Sequence, residues 1–464
     1  MADEQSSEFL SQKFRELAHA YQTSDIPAML EISQAMLSVD PEHLGALHIS
    51  GNAFLRSGEL SKALQRLRKC VNLKPTYALA LKDLGEVLLA SDSVEEAREV
   101  LERSHHCDPR NPNTLVTLAS ALTRLDQPEE AARVARQALA REPQGAEAHF
   151  ALAIALLIQQ RYREAWEHYE WRWNMSLFPS KTPKGIAPTW NEEDLRGRTL
   201  LLYTEQGYGD TIQFLRFVKL LKEAHDTNVV LRCPKSLVSL LRSFAPGKVV
   251  GQHCPLPAHD FSLPLLSLPH RLQIEPDNVG IALPYLRPPT EKLLAWRKRL
   301  GHLQRFRVGL VWTTGLVKPE KYAASNADKQ RRSLSPEQLL PLFELKEVDW
   351  VSLQIPPIRD SLPLPMKDRL FSIGDWCEDF ADTAAAMRQL DLILTIDTAT
   401  AHLGGAMGLP VWVLLNTPAN WRWSGPEKTS PWYPTIRLVR QTAQGEWSDV
   451  ITKIRDDLAA ILAE

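Results

Sequence analysis

Two consecutive 34-residue segments decide the fold of the first part of this chain: LGALHISGNAFLRSGELSKALQRLRKCVNLKPTY spans residues 44–77, and ALALKDLGEVLLASDSVEEAREVLERSHHCDPRN spans residues 78–111. Prolines recur at the same step of 34 residues, at Pro41, Pro75, Pro109 and Pro143. Small residues recur at that step in two other positions, at Ala63, Ala97, Ala131 and Ala165 and at Gly51, Gly85, Ala119 and Ala153. Small side chains let paired helices approach closely, and a proline marks where the second helix of a pair must end. The pattern therefore predicts a helix–turn–helix repeat.

A repeat of this length and pattern is typical of tetratricopeptide repeats, so we expect an all-α solenoid over residues 1–175. A third clear repeat covers residues 112–145, whereas residues 10–43 and 146–173 fit less well, as terminal repeats do. Such a solenoid presents a concave groove to another protein and seldom carries out chemistry. We therefore expect a protein acceptor or partner in the groove and a reaction, if there is one, in the rest of the chain.

Two clusters within the repeats have more than one interpretation. The side chains of His105 and His106 diverge by about 100° on a helix, so we interpret them as a packed or solvated pair and not as a metal site. The aromatic residues near the end of the repeats are interpreted as a hydrophobic seam to the next domain and not as a ligand cage. They are Trp166, Tyr169, Trp171 and Trp173.

Composition bounds the class of protein. The chain has 464 residues, with 54 Lys and Arg against 56 Asp and Glu, so no basic field points to nucleic acid. Five scattered cysteines without CxxC spacing argue against a disulfide framework or a zinc site and favour a reducing compartment. The polar start MADEQSSEF is unlike a secretory leader, and no apolar run approaches the ~18 residues of a membrane helix. We expect a cytoplasmic protein that is not transmembrane and needs no metal or other cofactor.

The remaining chain repeats a strand–helix alternation twice. Residues 176–197 are rich in proline and glycine and are predicted to be a linker. Apolar runs of strand length, among them NVVLRC (residues 228–233), then alternate with helical patterns in residues 198–300, and the first helical pattern carries Ile212, Leu215, Val218 and Leu221. The same alternation restarts in residues 301–464, with a helix predicted over Pro336–Leu345 and the strand WVSLQ (residues 350–354) after it. This predicts an α/β region of two doubly wound halves with parallel sheets and a cleft between them. Ligands bind such sheets beyond the carboxyl ends of the strands, so the turns there form the candidate site.

The first candidate turn is EQGYGD, which follows the predicted strand TLLLYT. Its glycines, Gly207 and Gly209, permit a tight turn and a close approach of a ligand, and Gln206 adds a polar side chain. The turn is not a dinucleotide fingerprint, because the third glycine of GxGxxG is missing. Asp210 stands where a helix N-cap belongs, and a carboxylate at a helix start suits an acceptor hydroxyl better than a phosphate. Capping alone and a role in the reaction both remain open.

Two further elements are candidates for binding a phosphate. The turn after the predicted strand DLILTI runs from Asp397 to His402, and the backbone N–H groups of the following helix start, with Thr398 and Thr400, can hold phosphate oxygens. Capping by Asp397 with a packed histidine is the alternative. Arginine pairs with phosphate through two hydrogen bonds, although basic runs are often only solvated. The basic run before another predicted helix consists of Lys329, Arg331 and Arg332.

Six segments of the second part carry a family resemblance: LLLYTEQGYGDTIQFLRFVKLL, VGLVWTTG, RRSLSPEQL, DFADTAAAMRQLDLILTIDTATAHLGGAMGLPVWVLL, WRWSG and SPWYPTIRLVRQ. They resemble bacterial tetratricopeptide-linked glycosyltransferases, whose catalytic part is related to the lipopolysaccharide heptosyltransferases. The resemblance extends to the repeats and to the YEWRW stretch that ends them. It implies a GT-B fold of two Rossmann-like halves, the acceptor side first and the nucleotide-sugar side second, and an inverting reaction without a metal.

The resemblance also implies roles for individual residues. Asp210 would be the general base, and Gln206, Gly207 and Gly209 would form the acceptor-side turn. The residues expected to bind the donor are Trp312, Thr313, Gly315, Arg331, Arg332, Asp397, Thr398, Thr400 and His402.

The resulting hypothesis is a glycosyltransferase that moves a sugar from a nucleotide sugar to a protein docked on the repeats. Asp210 would take the proton of the acceptor hydroxyl, and the arginines with the threonine-bearing helix start would stabilise the leaving nucleoside diphosphate. Two alternatives remain open. One is a non-catalytic adaptor whose GT-B unit only binds a nucleotide or a partner. The other is a GT-B nucleotide-sugar epimerase, against which the repeats count, because an epimerase needs no protein groove.

Overall fold

The structure of the chain, a computed structural model, describes residues 2–244, 248–279, 283–314, 329–358, 361–425 and 428–463. Contacts between residues divide the described chain into two compact units: the first contains the residues up to Gln159 together with Lys329, and the second contains the other residues from Gln160 onward. No helix in the described ranges is both long enough and apolar enough to cross a membrane.

The first unit is helical, as the 34-residue pattern predicts. Its helices are α1 (Ala2–Gln22), α2 (Ile26–Val39), α3 (Leu44–Arg56), α4 (Leu60–Leu73), α5 (Ala78–Ala90), α6 (Val94–Cys107), α7 (Pro112–Arg124), α8 (Pro128–Arg141) and α9 (Ala146–Ile158). Each recurrent proline stands two residues beyond the end of α2, α4, α6 or α8. The proline register therefore marks the end of the second helix of each pair, as expected.

The small residues of the repeats lie where two helices touch. A Cβ atom added to Gly51 would lie 2.6 Å from Cγ of Leu67, and one added to Gly85 would lie 2.5 Å from Cγ of Leu101. Both distances are shorter than non-bonded contacts between carbon atoms in real proteins, so glycine is what permits this approach of α3 to α4 and of α5 to α6. The prediction of a closely packed tetratricopeptide solenoid is confirmed.

The second unit opens with α10 (Tyr162–Tyr169) and contains two parallel sheets flanked by helices. The first sheet has the order β3-β2-β1-β4, with β1 (Thr199–Tyr203), β2 (Asn228–Cys233), β3 (Lys248–Gly251) and β4 (Phe261–Pro264). The helices of this half are α11 (Tyr208–Phe214), α12 (Arg216–His225), α13 (Lys235–Arg242) and α14 (Leu268–Arg271), with α15 (Thr290–Arg299) leading to the second sheet. All pairings of the four strands are parallel.

The second sheet has six strands in the order β10-β9-β8-β5-β6-β7, all paired in parallel. They are β5 (Phe306–Val311), β6 (Val348–Ser352), β7 (Leu370–Ser372), β8 (Leu392–Ile396), β9 (Val411–Leu415) and β10 (Ile436–Arg440). Its helices include α16 (Leu364–Lys367), α17 (Phe380–Met387), α18 (Ala399–Ala406) and α19 (Ser448–Ala463). The prediction of two α/β halves with parallel sheets is confirmed.

The division between the units falls earlier than the boundary expected after residue 175. Helix α10, which the repeat pattern assigned to the solenoid, belongs to the second unit. The reason lies in its aromatic face, since the ring of Trp166 packs edge-on against Phe214 and Trp421 with centroids 5.9 Å apart in both pairs. The expected aromatic seam is therefore part of the core of the second unit.

A buried ion pair fixes the same segment. Arg172 donates from Nε and Nη2 to the two carboxylate oxygens of Glu205, at 3.0 Å and 2.6 Å, and both side chains are fully buried. Burial raises the pKa of Glu205, and the Arg172 guanidinium opposes that shift. The segment that follows α10 is thus bound to the segment that follows β1, next to the glycine turn.

Three local expectations differ from the structure. The end of the expected linker is packed on the first sheet, because Trp190 donates from its backbone N–H to the Ser262 carbonyl at 2.9 Å and is itself buried. The single helix expected after the glycine turn is divided into α11 and α12 at Leu215. The helix expected from Pro336 is a 3-10 helix, Pro336–Glu344, with Pro341 inside it, since proline lacks the N–H that an α-helix requires.

Candidate functional site

A cavity of about 650 Å³ lies between the two halves of the second unit, at the carboxyl ends of β1, β5, β6 and β8. The first half contributes the glycine turn, residues 206–210, and Ser236. The second half contributes the turns after three strands, the start of α17, Asn420 and Arg422. The volume is in the range of about 300–1,000 Å³ that is typical of small-ligand sites. The cavity lies where parallel α/β sheets bind their ligands.

The glycine turn owes its shape to local hydrogen bonds and to one close contact. Gly207 is the N-cap of α11, and its N–H donates to Oδ2 of Asp210 at 2.8 Å, so Asp210 is the third residue of the helix and not its N-cap. A Cβ atom on Gly209 would lie 2.8 Å from Cδ2 of His402 and 3.6 Å from Cα of Ala399. Glycine at this position therefore lets the turn of the first half meet the start of α18 in the second half.

Asp210 is also paired with an arginine of the other half. Its Oδ1 accepts a hydrogen bond from Nη2 of Arg422. Arg422 donates from Nε to Oε1 of Gln213 at 2.8 Å and from Nη1 to Oδ1 of Asn420 at 3.1 Å, and it lies 4.1 Å from the ring centroid of Trp421. The side chains of Arg422 and Asp210 are 10% and 18% exposed, so the pair is partly screened from water. Both oxygens of the proposed base are thus already hydrogen-bonded.

The basic segment and the turn after β8 meet at Asp397. Arg332 donates from Nη1 to the backbone oxygen of Asp397 at 3.0 Å and to its Oδ2 at 3.2 Å. Trp423 donates from Nε1 to Oδ1 of the same carboxylate at 2.8 Å. The hydroxyl of Thr398, the N-cap of α18, lies 3.1 Å from that of Thr395. Two elements that were predicted separately to bind phosphate therefore line one wall of the cavity.

His402 is buried in this wall and lines the cavity. Its ring stacks on Trp423 with centroids 5.0 Å apart, and its Nδ1 lies 3.1 Å from the hydroxyl of Tyr433. Burial, with the positive charges of Arg422 and Arg216, holds the pKa of His402 well below its usual value. The imidazole is therefore neutral at neutral pH.

The structure brings most of the predicted site residues together and leaves some apart. Those that line the cavity are Gln206, Gly207, Gly209, Asp210, Thr313, Arg332, Asp397, Thr398, Thr400 and His402. Trp312 is buried and Arg331 is half-buried, and neither is among the described lining residues. Gly315 lies outside the described residues.

Sequence reasoning missed three residues that build the site. Arg422 stands in the WRWSG segment and Tyr433 in the SPWYP segment, both of which contributed to the family resemblance without a role for either residue. Gln354 lines the cavity, and its Oε1 accepts hydrogen bonds from the N–H groups of Trp312 and Thr313, both at 3.1 Å. The position of Gln354 at the end of the predicted strand WVSLQ was the available signal, because strand ends meet at this edge.

The described lining of the cavity carries more negative than positive charge, since it includes four carboxylates, Asp210, Glu378, Asp379 and Asp397, and two arginines. Its described lining includes the cations Arg332 and Arg422, each paired with an aspartate. Among the described residues, no group of three or more His, Cys, Asp or Glu side chains is arranged to hold a metal ion. The arrangement can supply guanidinium groups and a helix start to an anion, and carboxylate and imidazole acceptors to a hydroxyl.

Comparison with known proteins identifies a family for the repeat region and one relative that is similar over a longer stretch. The tetratricopeptide repeat family matches residues 54–120 and, in a second form, residues 116–170. The protein FlbA of Caulobacter vibrioides is 28% identical over 348 residues, which cover 68% of this chain and 56% of that protein. This chain therefore spans little more than half the length of that relative.

Two similar solved structures each cover about a third of this chain. The tetratricopeptide protein TTC0263 of Thermus thermophilus is 23% identical, with a TM-score of 0.32, and covers 35% of this chain and 88% of its own. PilF of Pseudomonas aeruginosa is 17% identical, with a TM-score of 0.33, and covers 36% of this chain and 76% of its own. Together with the packing of α1–α9, the family matches establish that the N-terminal region of this chain consists of tetratricopeptide repeats.

Proposed function

We propose that this chain is a glycosyltransferase of the GT-B type that moves a sugar from a nucleotide sugar to a protein bound by the repeats. One observation carries the proposal: the Asp210 turn of the first half and the Arg332–Asp397 wall of the second half line the same cavity. The resemblance implied an acceptor side and a donor side for these two elements. The repeats support a protein as the acceptor, because solenoids of this kind bind other proteins in their grooves.

The donor would bind through its diphosphate at the second wall. The start of α18 offers backbone N–H groups and the hydroxyls of Thr398 and Thr400, and Arg332 adds a guanidinium beside it. Helix starts and arginine are the groups that proteins use for phosphates. The same groups would stabilise the charge that develops on the diphosphate as the sugar leaves.

Transfer needs a proton acceptor for the attacking hydroxyl. In the proposed reaction the O–H bond breaks, its oxygen forms the new bond to the anomeric carbon, and the bond to the diphosphate breaks with its electron pair. Asp210 is the residue proposed to take the proton. Its carboxylate accepts one hydrogen bond at each oxygen, and a carboxylate has about four acceptor positions. A hydroxyl can therefore still reach it.

The non-catalytic adaptor remains the second candidate, and a specific observation favours it. Asp210 already stabilises the turn through Gly207 and joins the halves through Arg422. These contacts give the Asp210 carboxylate a structural role that does not depend on catalysis. A binding site for a nucleotide without transfer is what this alternative expects.

Two measurements on the full chain separate these functions. Calorimetry with uridine and guanosine diphosphates, and with UDP-glucose and GDP-mannose as sugar nucleotides, tests donor binding in the wild type and in Arg332→Ala. The matched control is Arg196→Ala, since Arg196 is 78% exposed and its partner among the described residues is Asp194, two positions away. Intact-mass analysis of cellular proteins incubated with a mixture of nucleotide sugars tests transfer. Binding without any mass increase supports the adaptor, and absence of both removes the glycosyltransferase proposal.

A further inference from the structure

A chain of hydroxyl groups leads from the backbone to His402. The Tyr285 hydroxyl lies 3.0 Å from the Ile212 carbonyl oxygen and donates to it, because a carbonyl can only accept. The hydroxyls of Tyr285 and Tyr433 are 3.5 Å apart, and that of Tyr433 lies 3.1 Å from Nδ1 of His402. The four groups therefore form one connected path.

The hydrogen bond that Tyr285 donates at one end of this path determines the direction of the other two hydrogen bonds. A phenol has a single proton, and Tyr285 uses its proton on Ile212, so its oxygen must accept from Tyr433. Tyr433 then has no proton left for His402, and its oxygen must accept from Nδ1–H. Burial raises the pKa of Tyr433 well above its usual value, so this phenol keeps its proton. The ring of His402 consequently carries its proton on Nδ1.

The other ring nitrogen is left as an acceptor. A neutral imidazole with its proton on Nδ1 has a lone pair on Nε2. Nε2 has no hydrogen-bond partner among the described residues, although His402 is only 4% exposed and lines the cavity. A Cβ atom on Gly209 would lie 3.5 Å from this nitrogen, so Nε2 lies against the glycine turn of the first half.

We infer that His402 presents an unprotonated Nε2 to the cavity and accepts a hydrogen bond from a hydroxyl of the substrate, in contrast to the phosphate contact that the resemblance implies. The inference rests on the proposed function for the identity of the substrate. The physical reason is the sign of the interaction, since a phosphate oxygen offers only lone pairs to a nitrogen that has no proton. A hydroxyl of the donor sugar and a hydroxyl of the acceptor offer the same chemistry. His402 is thus a positioning residue for an O–H group beside Asp210.

The state of His402 can be measured without any substrate. The full chain labelled with 15N-histidine should show a histidine with protonated Nδ1 and unprotonated Nε2 at pH 7, assigned as the signal that His402→Asn removes. Tyr285→Phe removes the acceptor for the Tyr433 proton, which can then be donated to Nδ1, so the proton of His402 should move to Nε2. Tyr203→Phe is the matched control, because this buried phenol lies on β1 outside the path. A protonated Nε2 in the wild type, or no response to Tyr285→Phe, overturns the inference.

Binding measurements identify the hydroxyl. In His402→Asn the amide can still contact Tyr433, but nothing replaces Nε2. The affinity for uridine or guanosine diphosphate should stay within about twofold, since no phosphate contact is lost. If the donor sugar supplies the hydroxyl, the affinity for the sugar nucleotide should fall about 5–15-fold, the equivalent of a net hydrogen bond. If the acceptor supplies it, donor affinity is unchanged and the KM for the acceptor rises.

Two results distinguish a failure of the inference from a failure of the proposed function. A diphosphate affinity that falls as much as that of the sugar nucleotide contradicts the inference and favours a phosphate contact. Failure of every nucleotide probe to bind wild type contradicts the proposed function, whereas the nitrogen spectrum still decides the protonation of His402.

Discussion

Replacing Asp210 with asparagine should lower both the stability of the second unit and the rate of transfer. The carboxylate accepts from the Gly207 N–H at one oxygen and from Arg422 at the other. An asparagine side chain has one oxygen, so it can satisfy only one of these donors, and its NH2 group must face the second. A largely buried hydrogen-bond donor that has no acceptor lowers the free energy of unfolding by about 1–3 kcal/mol. We expect a loss of that size in the free energy of unfolding.

Tryptophan fluorescence during urea unfolding is suited to this measurement. All 13 tryptophans of the chain stand between Trp166 and Trp447, so their emission reports the second unit and not the repeats. Asp194→Asn is the matched control, because Asp194 is 60% exposed and pairs with the exposed Arg196. An unfolding midpoint of Asp210→Asn equal to that of wild type would show that the two hydrogen bonds do not form in solution.

Transfer gives the second, independent result. If Asp210 is the general base, Asp210→Asn should reduce turnover about 10²–10⁴-fold at temperatures where the variant is fully folded. Donor affinity should not fall, because the donor is proposed to bind at the opposite wall and Asp210→Asn releases Arg422 from its ion pair. Full turnover in a destabilised variant would leave Asp210 with the structural role alone and refute its assignment as the base.

Three other predictions follow from the same contacts. Gly209→Ala should destabilise the second unit by about 1–3 kcal/mol, the usual effect of overpacking, whereas Gly251→Ala, whose added Cβ would lie 3.5 Å from its nearest neighbour, should have little effect in the same urea titration. Arg332→Ala should weaken nucleoside diphosphate binding by about 1.5–3 kcal/mol in calorimetry, and equal affinity would remove Arg332 from the donor site. Because the pKa of His402 is lowered in the folded protein, the unfolded state binds the additional proton, so stability should be complete above about pH 6.5 and decline below it by at most about 1.4 kcal/mol per pH unit. His402→Asn should make the midpoint in urea less dependent on pH in that range, and an unchanged slope would contradict the lowered pKa.

The parts of the fold that depend on regular spacing could be predicted from the sequence. The proline register marks helix ends, the strand Asn228–Cys233 was identified with its full length, and the turns after β1 and β8 were singled out as site elements. Each of these follows from residues close in sequence, because periodicity and turn chemistry act locally. Helix α10 shows the limit, since its repeat pattern is correct but its aromatic face packs on residues about 50 and 255 positions away.

The partners across the cavity could not be predicted for the same reason. Arg422 and Asp210 are separated by 212 residues, and Arg332 and Asp397 by 65. No pattern in a single sequence states that these residues meet, because the meeting depends on how the two sheets are arranged. The same is true of Tyr285, which in our inference determines the proton position on a histidine 117 residues further along the chain.

The two arginine–aspartate pairs have a consequence for the order of events in the proposed reaction. A nucleoside diphosphate that enters the cavity adds negative charge beside Asp210 and Asp397, and the described lining offers Arg332 and Arg422 to balance it. Both arginines already bind an aspartate, so the diphosphate competes with a carboxylate for each guanidinium. A shift of Arg422 toward the diphosphate frees Oδ1 of Asp210 to accept the proton of an acceptor hydroxyl. Within this proposal, donor binding therefore comes before activation of the acceptor hydroxyl, and Arg422 links the two steps because it contacts Asp210 from the donor half of the cavity.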